Sequence, residues 1–257
     1  MRTWVKIVAK LVESIAPNAV YVKFKGHCPC CDRSTHFFSR NLWFRDELKC
    51  LSCGSIPRER ALMLALNKHY PQWRDLKIHE SSPVDRGASH KISREAPDYV
   101  GSQFYPDQEN IPMIDGFHNI NLEAQAFPDQ SFDLVITQDV LEHLPNPENA
   151  FREIHRTLKT GGAHIFSVPL VNRHAPSEVW ARISDHGEVE FLHEPEYHGN
   201  PVNPKGSPVM MHWGFDLMDK IKDVTQMSIE VEDHYDLKHG VAGEYNEIVI
   251  AKKQTFF

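Results

Sequence analysis

Long apolar runs are missing from this 257-residue chain: no stretch approaches the ~18 residues that a bilayer-spanning helix needs. A secretory leader is not expected either, because Lys6 and Lys10 interrupt the apolar stretch between Met1 and Ile15. Internal repeats and low-complexity segments are also absent, which excludes solenoid and compositionally biased architectures. Cysteine is scarce, and the five present lie together between residues 28 and 53, so a disulfide framework is not the expected use of them. These absences lead us to expect a cytoplasmic protein.

What is present is ordinary for a globular chain, with 41% hydrophobic and 25% charged residues. The length allows one full α/β domain and a small accessory module. The net charge of −7 is divided unevenly. Residues 1–60 carry 11 Lys/Arg against 5 Asp/Glu (+6), and the remainder carries 17 against 30 (−13). A basic head on an acidic body suits an anionic partner or docking on that body.

Trp4, Ile7, Val8, Leu11, Val12 and Ile15 recur at the spacing of one helix face, predicting an amphipathic helix over residues 1–20. Such a face packs on its own protein or makes peripheral contact with a membrane surface. Residues 21–56 follow with Cys28-Pro-Cys-Cys31 and Cys50-Leu-Ser-Cys53, two C-x2-C pairs at the spacing of a four-sulfur metal site. Each knuckle turns two thiolates toward one point, and tetrahedral zinc accepts four. We therefore expect a zinc ribbon with Cys28, Cys31, Cys50 and Cys53 as ligands (iron would fit the same cage). Four protein ligands close the shell, so the metal is structural. Cys30 is the spare thiol and should point elsewhere.

Pro57 suits the first turn of a connecting helix through about Tyr70, within a segment 57–74. From residue 75 to 257 strands and helices alternate. Ser131–Thr137 reads as a buried parallel strand, Asn146 as the cap of the next helix, Gly161-Gly162 as its stop, and Ala163–Val168 as the following strand. Residues 170–214 read as irregular and rich in His, Pro and Gly. A helix around Phe215–Val224 and two strands near Met227–His234 and Glu244–Lys252 complete the pattern.

Ala126-Phe-Pro-Asp-Gln-Ser-Phe-Asp-Leu-Val-Ile-Thr-Gln-Asp-Val-Leu-Glu-His-Leu144 resembles the "PFPD-x-SFD-x-V" and "LEH" signature of class I S-adenosylmethionine-dependent methyltransferases of the methyltransferase-11 type. Arg156-Thr-Leu-Lys-Thr-Gly-Gly is similar to their "R-x-LKPGG" segment, with Thr160 for the proline. The resemblance implies an α/β, Rossmann-like fold: a seven-stranded, mostly parallel sheet, with S-adenosylmethionine at the carboxyl ends of the first strands. It puts Glu80, Ser81 and Ser82 in the first cofactor loop, Gln103 at the ribose, Asn121 and Leu122 beside the adenine, and Gln138 at the methionine half. His143 falls on the "LEH" histidine near the methyl-transfer face, a candidate proton acceptor. Ser81 and Pro83 stand where the family has glycines, and Gln103 and Asn121 where it has acids.

The implied activity is methylation of a small-molecule or glycan-linked acceptor, with residues 170–214 as a substrate lid. A metal site from His193, His198 and His212 is conceivable there, although no ligand spacing supports it. Two rival readings are a zinc-stabilised scaffold with a degenerate methyltransferase domain, and a ribosomal RNA methyltransferase. The +6 head fits the RNA reading, while the acidic body opposes phosphate binding.

Overall fold

The computed structural model describes residues 22–254, so the amphipathic helix expected over residues 1–20 lies outside the described residues. The N-terminal module begins with β1 (Val22–Cys28) and β2 (Arg33–Ser39), an antiparallel hairpin. A single turn, α1 (Phe44–Glu47), leads to β3 (Lys49–Cys50), which pairs with β2. Thr35, Phe37 and Ser39 point inward at the strand period of two. So small a sheet buries little of its own. Phe37 instead fills the space beside Gly240, where an added Cβ would lie 2.6 Å from its ring.

The connecting helix is α2 (Pro57–His69), with Pro57 in its first turn and the Glu59 carboxylate accepting the Ile56 N–H at 3.0 Å. Ala61, Leu62, Ala65 and Leu66 are fully buried and pack beneath the main sheet. Arg60 is buried with them. Its guanidinium donates to the carbonyls of Leu48 (2.7 Å), Gly240 (2.6 Å) and Ser55, so one side chain ties the N-terminal module to the body.

The body alternates β4 (Ile78–Ser81), α3 (Gly87–Glu95), β5 (Tyr99–Gln103), β6 (Met113–Ile114), β7 (Phe117–Asn119), β8 (Phe132–Gln138), α4 (Pro147–Thr157) and β9 (Leu158–Ser167). After the insertion come α5 (Leu217–Thr225), β16 (Ser228–Asp233) and β17 (Glu247–Lys252). One sheet results, in the order β16-β17-β9-β8-β4-β5-β7-β6. The five strands from β9 to β7 are parallel; β17 runs against both of its neighbours. Leu134 and Ile136 face a core with α2 and α3, while Phe132 and Val135 face a second core with α4 and α5.

Four expectations need correction. The sheet has eight strands rather than seven, because β6 folds back on β7 through Asp115-Gly116. Both turn residues have positive φ (51° and 84°), the geometry of a two-residue hairpin turn. Helix α4 ends at Thr157, so Gly161 and Gly162 lie inside β9; a Cβ on Gly162 would come within 2.7 Å of the Asp133 carbonyl. Asn146 occupies the N-cap position without a side-chain cap, and donates its amide to Glu123 instead. Residues 170–214 are not irregular: they form three small antiparallel pairs. These are β10 (Glu178–Val179) with β15 (Met211–His212), β11 (Ala181–Ile183) with β12 (Val189–Phe191), and β13 (Tyr197–His198) with β14 (Ser207–Pro208). No helix among the described residues is long and apolar enough to cross a membrane.

Candidate functional site

Three groups of chemistry-bearing residues meet along this frame. The first is the cysteine cluster. The knuckles fold alike: Asp32 N–H donates to the Cys28 carbonyl and Gly54 N–H to the Cys50 carbonyl, both at 2.8 Å. Both turn-closing residues have positive φ, 54° and 71°. Two like turns thus aim four sulfurs at one point, with all four Sγ atoms within 4.8 Å of one another. Cys28 and Cys53 are 3.8 Å apart and Cys31 and Cys50 4.0 Å, too far for disulfides. Sulfurs ~2.3 Å from a tetrahedral ion stand about 3.8 Å apart, so the donor set fits one metal.

The electrostatics agree. A hydrogen bond from Cys30 and others from Cys50 and Cys53 hold Cys28 far below the ordinary thiol value. Cys53, donating to Cys28, is pushed far up, and burial raises Cys31 to about 12. Four thiolates at this spacing would need a cation between them. The Ser55 hydroxyl lies 3.2 Å from Cys28 Sγ and 3.2 Å from the Arg60 guanidinium, linking this cluster to α2. Cys30 is outside the four-sulfur group, buried where its thiol is pushed well up by desolvation.

The second group lies at the carboxyl edge of the main sheet. From β4 the chain builds β5 and β7 on one side, then crosses to β8 on the other, so β4 and β8 flank a topological switch point. The expected cofactor residues lie at or near the carboxyl ends of these strands with unequal access. Ser82 is partly exposed and has a φ of 57°, adopting without glycine the left-handed turn that the loop needs. Asn121 is half-buried and accepts the Glu123 N–H in an Asx turn, beside the buried Leu122. Gln103 is buried, donating its amide to the Pro83 carbonyl at 2.9 Å, and Ser81 is buried next to it.

Glu80 is 1% exposed and enclosed in a cage of the Ser89 hydroxyl (2.6 Å), Tyr99 hydroxyl (3.0 Å) and Gln138 amide (3.0 Å), all donating to it. Burial pushes its carboxyl up against those hydrogen bonds. The same Gln138 keeps a buried Oε1 with no partner, an acceptor left over at the strand end.

Sequence reasoning did not anticipate the ion pair made by Asp139, one residue on. Burial would raise its carboxyl, but Arg45 and Arg58 hold it well below the usual carboxylate range. Arg45 Nη2 is 2.6 Å and Arg58 Nε 3.0 Å from Oδ2, and the Ser167 hydroxyl donates to Oδ1 at 2.9 Å. Both arginines come from the N-terminal module and its connecting helix, so these two charges tie that module to the body at this edge.

The third group joins the end of β8 to the insertion. His143, in the 3-10 turn Leu141–His143, donates Nδ1–H to the Pro208 carbonyl at 2.8 Å. His198 Nδ1 lies 3.5 Å and His143 Nε2 3.8 Å from the Glu142 carboxylate. The trio of His193, His198 and His212 does not form. Instead His193 and His212 sandwich Trp180, with ring centroids 4.2 and 3.7 Å away. Only His198 of the three reaches Glu142. A further cleft, of about 510 Å³, separates the Cys31 knuckle from α3 and is lined by Arg33, Arg86, Lys91 and Arg94 among others.

Among known proteins, residues 98–166 match the family described as "Methyltransferase domain". Over 84 residues the chain is 32% identical to the sarcosine/dimethylglycine N-methyltransferase of Halorhodospira halochloris, covering 33% of this chain and 30% of that protein. Over 55 residues it is 44% identical to the ubiquinone/menaquinone biosynthesis C-methyltransferase UbiE of Xanthomonas oryzae pv. oryzae, covering 21% and 22%. The matched stretches thus span less than a third of those relatives' length. An S-adenosylmethionine-dependent methyltransferase from Mesorhizobium loti superposes with a TM-score of 0.50 at 17% identity, over 76% of this chain and 98% of that one. The main sheet therefore has the Rossmann-like methyltransferase fold.

Proposed function

We propose that this chain transfers a methyl group from S-adenosylmethionine to a small-molecule or glycan-linked acceptor, with a structural zinc ion in the N-terminal ribbon. The observation that supports the reading is the switch point between β4 and β8 in a methyltransferase-type sheet, with Ser82, Asn121 and Gln138 at or just past the carboxyl ends of β4, β7 and β8. The cofactor supplies an activated methyl on a sulfonium. The chain's task is then to hold an acceptor in line and manage its proton.

The residues present fit such a cofactor through neutral polar groups. Gln138 Oε1 is an unpaired acceptor suited to an ammonium group, and the Ser82 turn lets backbone approach closely. His143 stands five residues past the end of a seven-residue strand. Its Nδ1 is committed to Pro208, so the neutral ring presents the Nε2 lone pair to an acceptor's proton. The polar and aromatic insertion, with Trp180 between two histidines, suits a sugar or another polar acceptor. The four-cysteine set suits zinc by its all-sulfur donors and tetrahedral spacing.

Calorimetry with S-adenosylmethionine and S-adenosylhomocysteine on zinc-loaded protein tests the cofactor. Saturable binding is expected, weakened about tenfold in Gln138→Ala, the loss of about one hydrogen bond to a charged group. Absence of heat at millimolar ligand would end the methyl-transfer reading and leave the fold standing.

A further inference from the structure

We propose that Glu142, His143 and His198 bind a divalent transition-metal ion, at a site separate from the four cysteines. One nitrogen of each ring and one carboxylate oxygen lie within 4.8 Å of one another. The third member comes from β13 of the insertion, so the site forms only where that insertion closes on the end of β8. Met210 N–H, from the same insertion, donates to the Glu142 carbonyl at 2.8 Å and fixes the approach.

The carboxylate is what requires an explanation. Glu142 is 1% exposed, and neither of its oxygens receives a hydrogen bond. A buried carboxylate left without donors costs several kcal/mol, so native structures pair it or coordinate it. The two imidazoles do not supply the missing donors in their neutral forms. His143 Nδ1 faces the Pro208 carbonyl, which can only accept, so the proton resides there and Nε2 is bare. His198 Nε2 lies 3.1 Å from Glu196 Oε1, again an acceptor, which leaves Nδ1 bare toward Glu142. With both rings neutral, two lone pairs and a carboxylate thus converge with no hydrogen between them; a proton on His198 Nδ1, which Glu142 and Glu196 both favour, is the alternative to an ion. A cation at the centre turns that repulsion into coordination.

The surroundings have the form that metal-ligating histidines adopt. Each donates its remote N–H to a carbonyl or carboxylate, which sets the tautomer and the ring direction. Glu196 also accepts from His212 Nε2 at 2.8 Å, bracing the carboxylate that braces His198. Donors bound at 2.0–2.1 Å to a tetrahedral ion stand about 3.4 Å apart. The two oxygen–nitrogen separations, 3.5 and 3.8 Å, are within a few tenths of an ångström of that, and the two nitrogens lie within 4.8 Å of each other. Two imidazoles and one carboxylate form a borderline donor set suited to Zn²⁺, Fe²⁺, Co²⁺ or Ni²⁺. Three protein ligands leave coordination positions open, unlike the closed cysteine site.

With the ion bound, the His143 lone pair would be a ligand in place of the proton acceptor described above, and the ion would acidify an acceptor hydroxyl or amine held on it, whose proton would pass to solvent. That consequence rests on the methyl-transfer reading; the ion itself does not.

Cobalt distinguishes the two sites, because only the thiolate site gives intense near-ultraviolet sulfur-to-metal charge transfer. Full-length protein is stripped, loaded with excess Co²⁺, freed of unbound ion and analysed for bound metal, and protected thiols are counted on the same sample. The expected result is one ion beyond the thiolate-bound one. That ion should be lost in His198→Ala and in Glu142→Gln, while charge transfer and thiol protection persist. No ion beyond the thiolate-bound one in the wild-type protein overturns the proposal, leaving a protonated His198 paired with Glu142. Retention of the extra ion by both variants overturns it as well. Neither readout uses S-adenosylmethionine, so failure of the cofactor to bind leaves this result independent.

Discussion

Asp139 shows how much one side chain can decide. It follows β8 with a φ of 53° and meets Arg45 and Arg58 from outside the sheet domain. Removing its charge leaves two largely buried arginines with Asp46 as their remaining carboxylate partner. Asp139→Asn should therefore destabilise the protein by about 3 kcal/mol at pH 7, the low end of the cost of breaking a buried pair. The folded-state value is depressed, so this contribution is complete above the unfolded carboxylate value of about 3.9 and is lost as pH falls further. Urea unfolding of both proteins should give a constant difference from pH 7 to 5 that narrows below about pH 4. A difference that stays constant at lower pH would contradict the ion-pair account. The aspartate lay in plain sight within the "LEH" region, but nothing local marked it: its partners are 94 and 81 positions away in the chain.

At the scale of elements, the parallel strands conceal two histidines. His79 on β4 and His164 on β9 are buried, hydrogen-bonded to the Ser102 and Thr137 hydroxyls at 2.9 and 3.0 Å. Burial, then a neighbouring histidine, lowers each to about 3. The folded state keeps these rings neutral while the unfolded chain takes up protons below about pH 6.5. Stability is thus present above that pH and falls by about 1.4 kcal/mol per pH unit for each histidine down to about pH 3. His164→Gln keeps a partner for Thr137 and removes one titration. Its stability, followed by urea unfolding between pH 6.5 and 4.5, should fall less steeply by that amount per unit. The strands themselves were legible from mostly apolar runs such as Phe132–Ile136, since a strand covered on both faces is predominantly apolar. The Asp-Gly turn before β7 was equally local but unread. The Gly-Gly pair was misread, because a glycine that stops a helix and one that admits a neighbouring backbone look alike in sequence.

For the whole molecule, stability should depend on the small module as well as on the sheet. Arg60 joins carbonyls of the ribbon and the body, and Ser55 joins Arg60 to Cys28. Stripping zinc with a chelator, or Cys53→Ser, should lower Tm by at least about 6 °C, the shift that ~2 kcal/mol produces in a chain of this size. Zinc should restore the wild-type protein in thermal scans and not the variant. An unchanged Tm in zinc-free protein would mean that the cysteines do not support the fold. The sequence by itself determined the cysteine knuckles, the alternation of strands and helices and the methyltransferase-like β8 region. Each depends on residues a few positions apart, where spacing alone dictates geometry. Only the tertiary structure decided that Asp139 anchors the N-terminal module, that Glu80 turns inward, and that Glu142 and His143 meet His198 rather than His193 and His212 meeting it. Those contacts join segments separated by tens of residues, and packing of the insertion and the ribbon against one sheet edge sets them.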